Sequence, residues 1–206
     1  MISPNIRNII FDLGGVILNL SVASSLKQLV AITGLPMEKV LEGYSHREEF
    51  FQYEKGEIGD MQFRAALQRI YSFQESDEVI DQCWNAMLLD IPPERIELLK
   101  SLKSKYRTFL LSNTNAIHVK SFSASLSKAH GINSLDSLFE KVYYSHQLKM
   151  RKPDPEIYQH VLIQNGIKAK ETLFLDDNEK NIEGARNVGI ETFLVRDPNQ
   201  LFTLFK

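Results

Sequence analysis

Five short apolar runs, each followed by polar or turn-forming residues, constrain the fold of this chain most strongly. They predict strands at 8–12, 108–112, 141–145, 172–176 and 191–195. Runs this short and apolar are typical of strands that are buried on both faces of a parallel sheet. Helical patterns lie between the last four strands, at 116–129, 155–165 and 179–188. Because strands that alternate with helices form parallel sheets, the sequence predicts an α/β fold with a doubly wound parallel sheet.

The interval between the first two predicted strands breaks this alternation. It has helical spacing throughout, with candidate helices at 22–33, 37–42, 47–54, 60–71 and 76–88. Phe63, Leu67 and Ile70, for example, form an apolar stripe along one helix face. We therefore expect an all-helical cap over residues 19–90, inserted into a Rossmann-like core made of residues 1–18 and 91–206.

Composition narrows the function classes. The 206 residues are 43% hydrophobic and carry a formal charge of −2, so no global field favours nucleic acid or a membrane surface. The single cysteine, Cys83, excludes an intramolecular disulfide and suits a reducing compartment. No apolar run approaches the roughly 18 residues that a membrane span needs. We expect a cytoplasmic protein without nucleic-acid or membrane partners, either a monomer or a weak homodimer.

Residues that can act in catalysis or bind a metal or a phosphate lie at or after the carboxyl ends of four of the predicted strands. Because the carboxyl ends of parallel strands meet at one edge of a sheet, we expect these side chains to converge. Each has an ordinary alternative explanation as a helix cap, a turn former or a surface cation. The same placement on four strands makes a shared site the better interpretation. The residues are Asp12 with Gly14 and Gly15, then Ser112 and Asn113, then Lys152, and finally Asp176 and Asp177.

This set of residues has the parts that phosphoryl transfer requires. Asp12 offers a carboxylate for in-line attack at phosphorus. With Asp176 and Asp177 it forms an oxygen-rich anionic cluster that suits Mg²⁺, and three close carboxylates would repel one another without a cation. The other candidates bind or neutralise the transferring phosphoryl oxygens through a hydroxyl, a backbone N–H and an ammonium group. These are Ser112, Asn113 and Lys152.

The pattern resembles the haloacid dehalogenase superfamily, most of whose members are Mg²⁺-dependent phosphatases. The matching motifs are Phe-Asp-Leu-Gly-Gly-Val at 11–16, Leu-Ser-Asn-Thr-Asn at 111–115, Lys-Pro-Asp-Pro-Glu-Ile-Tyr at 152–158 and Leu-Asp-Asp-Asn at 175–178. Residues 13–14, 112–115, 176–185 and the cap stretch 51–58 are similar to a group of bacterial sugar-phosphate phosphatases that act on α-D-glucose 1-phosphate.

The resemblance implies a role for each matching residue. It makes Asp12 and Lys152 catalytic, with a phosphoaspartyl intermediate on Asp12. It makes Mg²⁺ the cofactor, bound by Asp12, the backbone carbonyl of Gly14 and Asp177, with Asp176 binding directly or through water. It implies that the phosphoryl group of a small phosphorylated metabolite, such as glucose 1-phosphate, is held by Leu13, Gly14, Ser112, Asn113 and Lys152.

Gly14 departs from the family pattern, because most family phosphatases have an aspartate at this position as acid for the leaving group. General acid–base help is worth about 10²–10⁴-fold in rate. We therefore expect a preference for sugar 1-phosphates or aryl phosphates, whose leaving oxygens need less protonation, over 6-phosphates. A phosphomutase is disfavoured for the same reason. Two alternatives stay open: a 2-haloacid dehalogenase, and a non-catalytic binding module.

The cap offers further polar side chains as possible substrate contacts, and none of them is assigned a catalytic role. The main expectation for the aromatic residues Phe50, Phe51 and Tyr53 is that they form the cap core. A place in the wall of the site is the secondary interpretation. The histidine His118 is expected on the surface or on a helix face. The polar candidates are His46, Arg47, Tyr53, Glu54, Lys55 and Glu57.

Overall fold

A computed structural model describes residues 2–44 and 48–206, and its centre is a five-stranded parallel sheet. The strands are β1 (Asn8–Phe11), β2 (Arg107–Ser112), β3 (Lys141–Tyr144), β4 (Thr172–Asp176) and β5 (Glu191–Leu194), in the spatial order β3-β2-β1-β4-β5. Every neighbouring pair is parallel. The predicted strands are confirmed to within one residue at each end. β1 ends at Phe11, so Asp12 is the first residue of the following loop.

In the part of the chain that the structure describes, five helices lie between β1 and the core helix that precedes β2. They are α1 (Val22–Thr33), α2 (Met37–Tyr44), α3 (Glu48–Glu54), α4 (Asp60–Tyr71) and α5 (Asp77–Asn85). They share a hydrophobic cluster of their own, built on Phe63, Leu67 and Trp84. An antiparallel bridge between Leu20 and Leu88 joins the two ends of this helical insert, and the helices α1 to α5 are called the cap below. The division into a cap at 19–90 and a core at 1–18 and 91–206 stays a prediction.

Two of the predicted cap helices have different ends in the structure. α5 is shorter than the predicted 76–88, because the Ser76 side chain caps its start by accepting from the N–H of Val79. Past Asn85 the chain leaves the helix to reach the bridge at Leu88. α2 continues to Tyr44, two residues past its predicted end at 42. The cap candidates His46 and Arg47 lie outside the described residues.

The remaining helices cover the two faces of the sheet. They are α6 (Pro93–Leu102), α7 (Ala116–His130), α8 (Ser145–Leu148), α9 (Pro155–Asn165), α10 (Glu179–Asn187) and α11 (Gln200–Leu204). Because successive side chains of a strand point to opposite faces, Ile9 and Phe11 pack with α6, α7 and α11, whereas Ile10 packs with α9 and α10. The doubly wound α/β fold is confirmed. No helix in the described part of the chain is both long and apolar enough to cross a bilayer.

Candidate active site

All four predicted segments meet at the carboxyl edge of the sheet. Asp12 follows β1, and its backbone N–H donates to the Leu175 carbonyl of β4 at 2.8 Å, which extends the sheet pairing by one residue. Ser112 and Asp176 are the last residues of β2 and β4, and both are buried. Lys152 comes from the loop after α8. The topology thus places a side chain from each motif around one point.

The Lys152 ammonium group lies between two carboxylates. Its Nζ donates to Asp12 Oδ1 at 2.7 Å and to Asp176 Oδ2 at 2.6 Å, and the side chain is 1% exposed. Burial by itself favours the neutral amine, but the charges of Asp12 and Asp176 outweigh it and raise the pKa of Lys152. Lys152 is therefore a fixed positive charge beside Asp12.

The Asn113 side chain holds the backbone of Lys152. Its Nδ2 donates to the Lys152 carbonyl and its Oδ1 accepts from the Lys152 N–H, both at 2.9 Å. The Asn113 side chain therefore positions Lys152, and a ligand can be bound by the backbone N–H of Asn113. Ser145, the first residue of α8, accepts from the Thr114 N–H at 2.9 Å and donates to the Thr114 carbonyl at 3.1 Å. Sequence reasoning missed Ser145, because only the fold brings residues 31 positions apart into contact.

Asp176 is saturated with hydrogen bonds. Its Oδ1 accepts from the Asn178 N–H at 2.8 Å and from Asn181 Nδ2 at 3.0 Å. Its Oδ2 accepts from Lys152 and also from Asn181, the latter at 3.1 Å. Asn181 is a functional residue that sequence reasoning did not single out, although it lies within a stretch, 176–185, that carries the family resemblance. The signal that could have identified it is its place in the first turn of α10, which brings its side chain back toward Asp176 at the end of β4.

Asp177 and the loop after β1 complete the carboxylate cluster. Asp12, Asp176 and Asp177 each offer a carboxylate oxygen, and the three oxygens lie within 4.8 Å of one another. Gly15 has φ +71°, and a Cβ there would lie 2.2 Å from Asp177 Oδ2. The absence of a side chain at Gly15 therefore lets the Asp177 carboxylate approach the loop backbone.

The electrostatics of the cluster favour a bound cation. Burial raises the pKa of Asp12 to about 7, Asp176 and Asp177 add to this effect, and Lys152 opposes it. Burial and the charge of Asp176 also raise the pKa of Asp177. One lysine therefore does not balance the charge of the three carboxylates. An all-oxygen donor set with excess negative charge fits a hard divalent cation such as Mg²⁺.

A cavity of about 660 Å³ lies between the cap and this edge of the sheet. On the core side it is lined by the predicted phosphate ligands, which are Leu13, Gly14, Ser112, Asn113 and Lys152. Aromatic side chains form much of the cap side. Phe50, Phe51 and Tyr53 all line it, and Tyr53 also belongs to the cap core, where its ring stacks on Phe63 at 4.1 Å.

His118 is part of the cavity wall. It lies on α7, as a helix-face residue, but it is 7% exposed, so it is not a surface residue. Its ring stacks on Trp84 with centroids 5.2 Å apart, and its Nδ1 lies 2.9 Å from Asn85 Oδ1. Burial lowers its pKa to about 3, so the imidazole is neutral at physiological pH. Helical periodicity could not predict this contact, because Trp84 and His118 lie on different helices and are far apart in the sequence.

Leu20 covers Gly14, the position at which the family resemblance implies an acid in most phosphatases. A Cβ on Gly14 would lie 2.5 Å from Leu20 Cδ1, so an aspartate would have to displace this side chain. Leu20 itself lines the cavity. The wall at this point is therefore apolar.

The fold and the site define a class of α/β enzyme with a helical insert after the first strand and a cluster of aspartates beside a buried lysine. Residues 6–189 match the model of the haloacid dehalogenase-like hydrolase family. The chain belongs to this family and is therefore a hydrolase.

Several known proteins are similar to the chain. A D-ribitol-5-phosphate phosphatase from Bacteroides thetaiotaomicron is 29% identical over 188 residues, which cover 91% of each protein. A crystal structure of a haloacid dehalogenase family enzyme from the same species, in complex with magnesium and inorganic phosphate, is 37% identical with a TM-score of 0.84 and covers 92% of this chain and 93% of that one. A dehalogenase structure is 25% identical with a TM-score of 0.65 and covers 94% of this chain and 86% of that one.

Proposed function

We propose that the protein is a Mg²⁺-dependent phosphomonoesterase that transfers the phosphoryl group of its substrate to Asp12. The observation that carries this proposal is the convergence of Asp12, Asp176 and Asp177, with the Lys152 ammonium group bonded to two of them. The relatives support it, because one is named as a phosphatase and another was crystallised with magnesium and inorganic phosphate.

The chain's own residues fit the cofactor. Asp12, Asp177 and the backbone carbonyl of Gly14 would hold Mg²⁺. Asp176 would act through a water molecule, since both of its oxygens already accept hydrogen bonds from protein groups. When bound, the cation supplies positive charge that offsets the repulsion between the carboxylates and the phosphoryl group.

Phosphoryl transfer then follows from the position of Asp12. Lys152 bonds to Oδ1, which leaves Oδ2 for attack on phosphorus. A new bond forms between Oδ2 and phosphorus while the bond from phosphorus to the leaving oxygen breaks, and the leaving oxygen takes a proton from solvent. Water then attacks phosphorus in the phosphoaspartyl group, releases inorganic phosphate and restores Asp12. Lys152, the Ser112 hydroxyl and the Asn113 backbone N–H bind the phosphoryl oxygens through both steps.

The proposed substrate is a small sugar or polyol phosphate. The sequence resemblance favours glucose 1-phosphate, whereas the relative named above acts on D-ribitol 5-phosphate, an ester of a primary alcohol. The apolar surroundings of Gly14 still predict faster turnover of glucose 1-phosphate than of glucose 6-phosphate, because the anomeric oxygen is the better leaving group. Equal kcat/KM for the two esters would contradict this preference.

The first test is hydrolysis of p-nitrophenyl phosphate with Mg²⁺, with EDTA, and by the Asp12→Asn variant. We expect turnover that requires Mg²⁺ and that is lost in Asp12→Asn. Failure of the wild-type protein to turn over this ester at high enzyme concentration would favour a non-catalytic binding module. The monomeric or weakly dimeric state and the cytoplasmic location stay predictions.

Dehalogenation is the second candidate function, because a dehalogenase is among the similar structures. Attack of an aspartate on carbon with loss of halide has no need of a metal site, so the cluster of Asp12, Asp176 and Asp177 favours the phosphatase. Release of chloride from 2-chloropropionate in the presence of EDTA would reverse this order.

A further inference from the structure

Glu54 and Arg151 form an ion pair across the boundary between the cap and the core. Arg151 Nε and Nη2 donate to Glu54 Oε2 at 3.1 and 2.9 Å. Glu54 ends cap helix α3, and Arg151 immediately precedes Lys152. Both residues line the cavity, where their side chains are 30% and 21% exposed. The Phe51 ring lies against the Arg151 guanidinium at 4.5 Å, so the pair is held in one orientation on the cavity wall.

The pair has unused hydrogen-bonding capacity. Both bonds from Arg151 end on the same carboxylate oxygen of Glu54. The other two polar atoms of the pair, Glu54 Oε1 and Arg151 Nη1, have no hydrogen-bond partner among the residues that the structure describes. A half-buried charged group is stable only when its remaining lone pairs and protons are satisfied, by water or by a ligand. The cavity wall thus presents one strong acceptor and one strong donor next to each other.

Neighbouring hydroxyl groups have the complementary chemistry. A hydroxyl both donates and accepts, so one hydroxyl of a polyol can donate to Glu54 Oε1 while the next accepts from Arg151 Nη1. Apolar and aromatic ligands cannot do this. Glu54 and Arg151 line the same cavity as the phosphate ligands Ser112 and Lys152, so a polyol on this pair can place its phosphoryl group on those ligands.

We propose that Glu54 and Arg151 form a subsite for the hydroxyl groups of the leaving group and thereby select polyhydroxylated phosphate esters. This inference rests on the proposed phosphatase function and adds the residues that select its substrate class. Other contacts also join the cap to the core. Lys55 Nζ lies 3.8 Å from Asp154 Oδ2, and Lys149 donates to the Gly56 carbonyl. A change in the Glu54–Arg151 pair therefore leaves further contacts that keep the cap docked.

The test compares D-ribitol 5-phosphate with pentyl phosphate, which has the same carbon chain and a primary leaving oxygen but no hydroxyls. The wild-type protein should prefer the polyol ester. Glu54→Gln, which removes the charge at constant shape, and Arg151→Lys, which removes the planar fork at constant charge, should each lower the ratio of the two kcat/KM values by about 10–100-fold, the effect of losing a charged hydrogen bond.

Asp81→Asn is the matched control, because it weakens an ion pair with Arg64 inside the cap, where Arg64 Nε donates to Asp81 Oδ1 at 2.8 Å. It should leave the substrate ratio at the wild-type value. A ratio that stays at the wild-type value in Glu54→Gln and Arg151→Lys would overturn the subsite. If both esters also lost kcat/KM equally, the pair would only support Lys152. Absence of Mg²⁺-dependent turnover of p-nitrophenyl phosphate by the wild-type protein would instead refute the phosphatase function itself.

Discussion

Replacing Gly15 by alanine tests the geometry of the carboxylate cluster most directly. The new Cβ would lie 2.2 Å from Asp177 Oδ2, and this oxygen belongs to a side chain that can move. To reach an ordinary contact distance, the carboxylate must shift by about 1 Å, and a misplacement of this size in an active site costs about 10²-fold in rate. We expect kcat/KM for p-nitrophenyl phosphate to fall by about 100-fold, and the Mg²⁺ concentration for half-maximal activity to rise.

Gly34, which follows the last residue of α1, is the matched control for backbone strain. Its φ is +68°, against +71° at Gly15, but a Cβ on Gly34 would have no heavy atom within 4 Å apart from its own chain neighbours. Alanine at either position costs roughly 1–2 kcal/mol in the free energy of unfolding, because both residues adopt the left-handed conformation. Urea denaturation should therefore give similar losses for the two variants, with activity lost only in Gly15→Ala. Equal activity of the two variants would refute the assigned role of Asp177.

Three other perturbations probe the same site. Asn181→Leu removes two hydrogen bonds to the buried Asp176 carboxylate and should lower the free energy of unfolding by about 1–3 kcal/mol in urea denaturation; wild-type stability would contradict this. Without metal, the raised pKa of Asp12 lowers the free energy of unfolding as the pH rises from 3.8, the pKa of this carboxyl in the unfolded chain, to about 7. Because Mg²⁺ binds the ionised carboxylate, Mg²⁺ should raise the Tm more at pH 8 than at pH 5.5 in thermal denaturation. An equal rise at the two pH values would count against Asp12 as a ligand. Gly14→Asp should increase kcat for glucose 6-phosphate, and the gain should be larger with Leu20→Ala, because the partly exposed leucine must move aside for the new carboxyl. No gain in either variant would contradict the assigned lack of an acid at this position.

Much of the fold could be predicted from the sequence, because the signals are local. The apolar runs at 8–12 and 172–176 are short and bounded, so strand ends follow from the chain itself. Pro155 begins α9, and Gly166 follows its last residue with φ +59°, which is why both ends of this helix were predicted correctly. The predicted end of α5 was wrong, because a tertiary contact, the bridge between Leu20 and Leu88, draws the chain out of the helix.

The chain's own order of residues determined which chemistry is present: an aspartate after the first strand, paired aspartates at the end of the fourth, and a lysine between them. Because parallel strands end at a common edge, their convergence could be predicted. Only the tertiary structure decided how each group is used. It commits the Asn113 side chain to the Lys152 backbone, gives Asp176 a partner in Asn181, and joins Glu54 to Arg151. These contacts depend on distances between residues that are far apart in the chain or on side-chain directions, which no local pattern encodes.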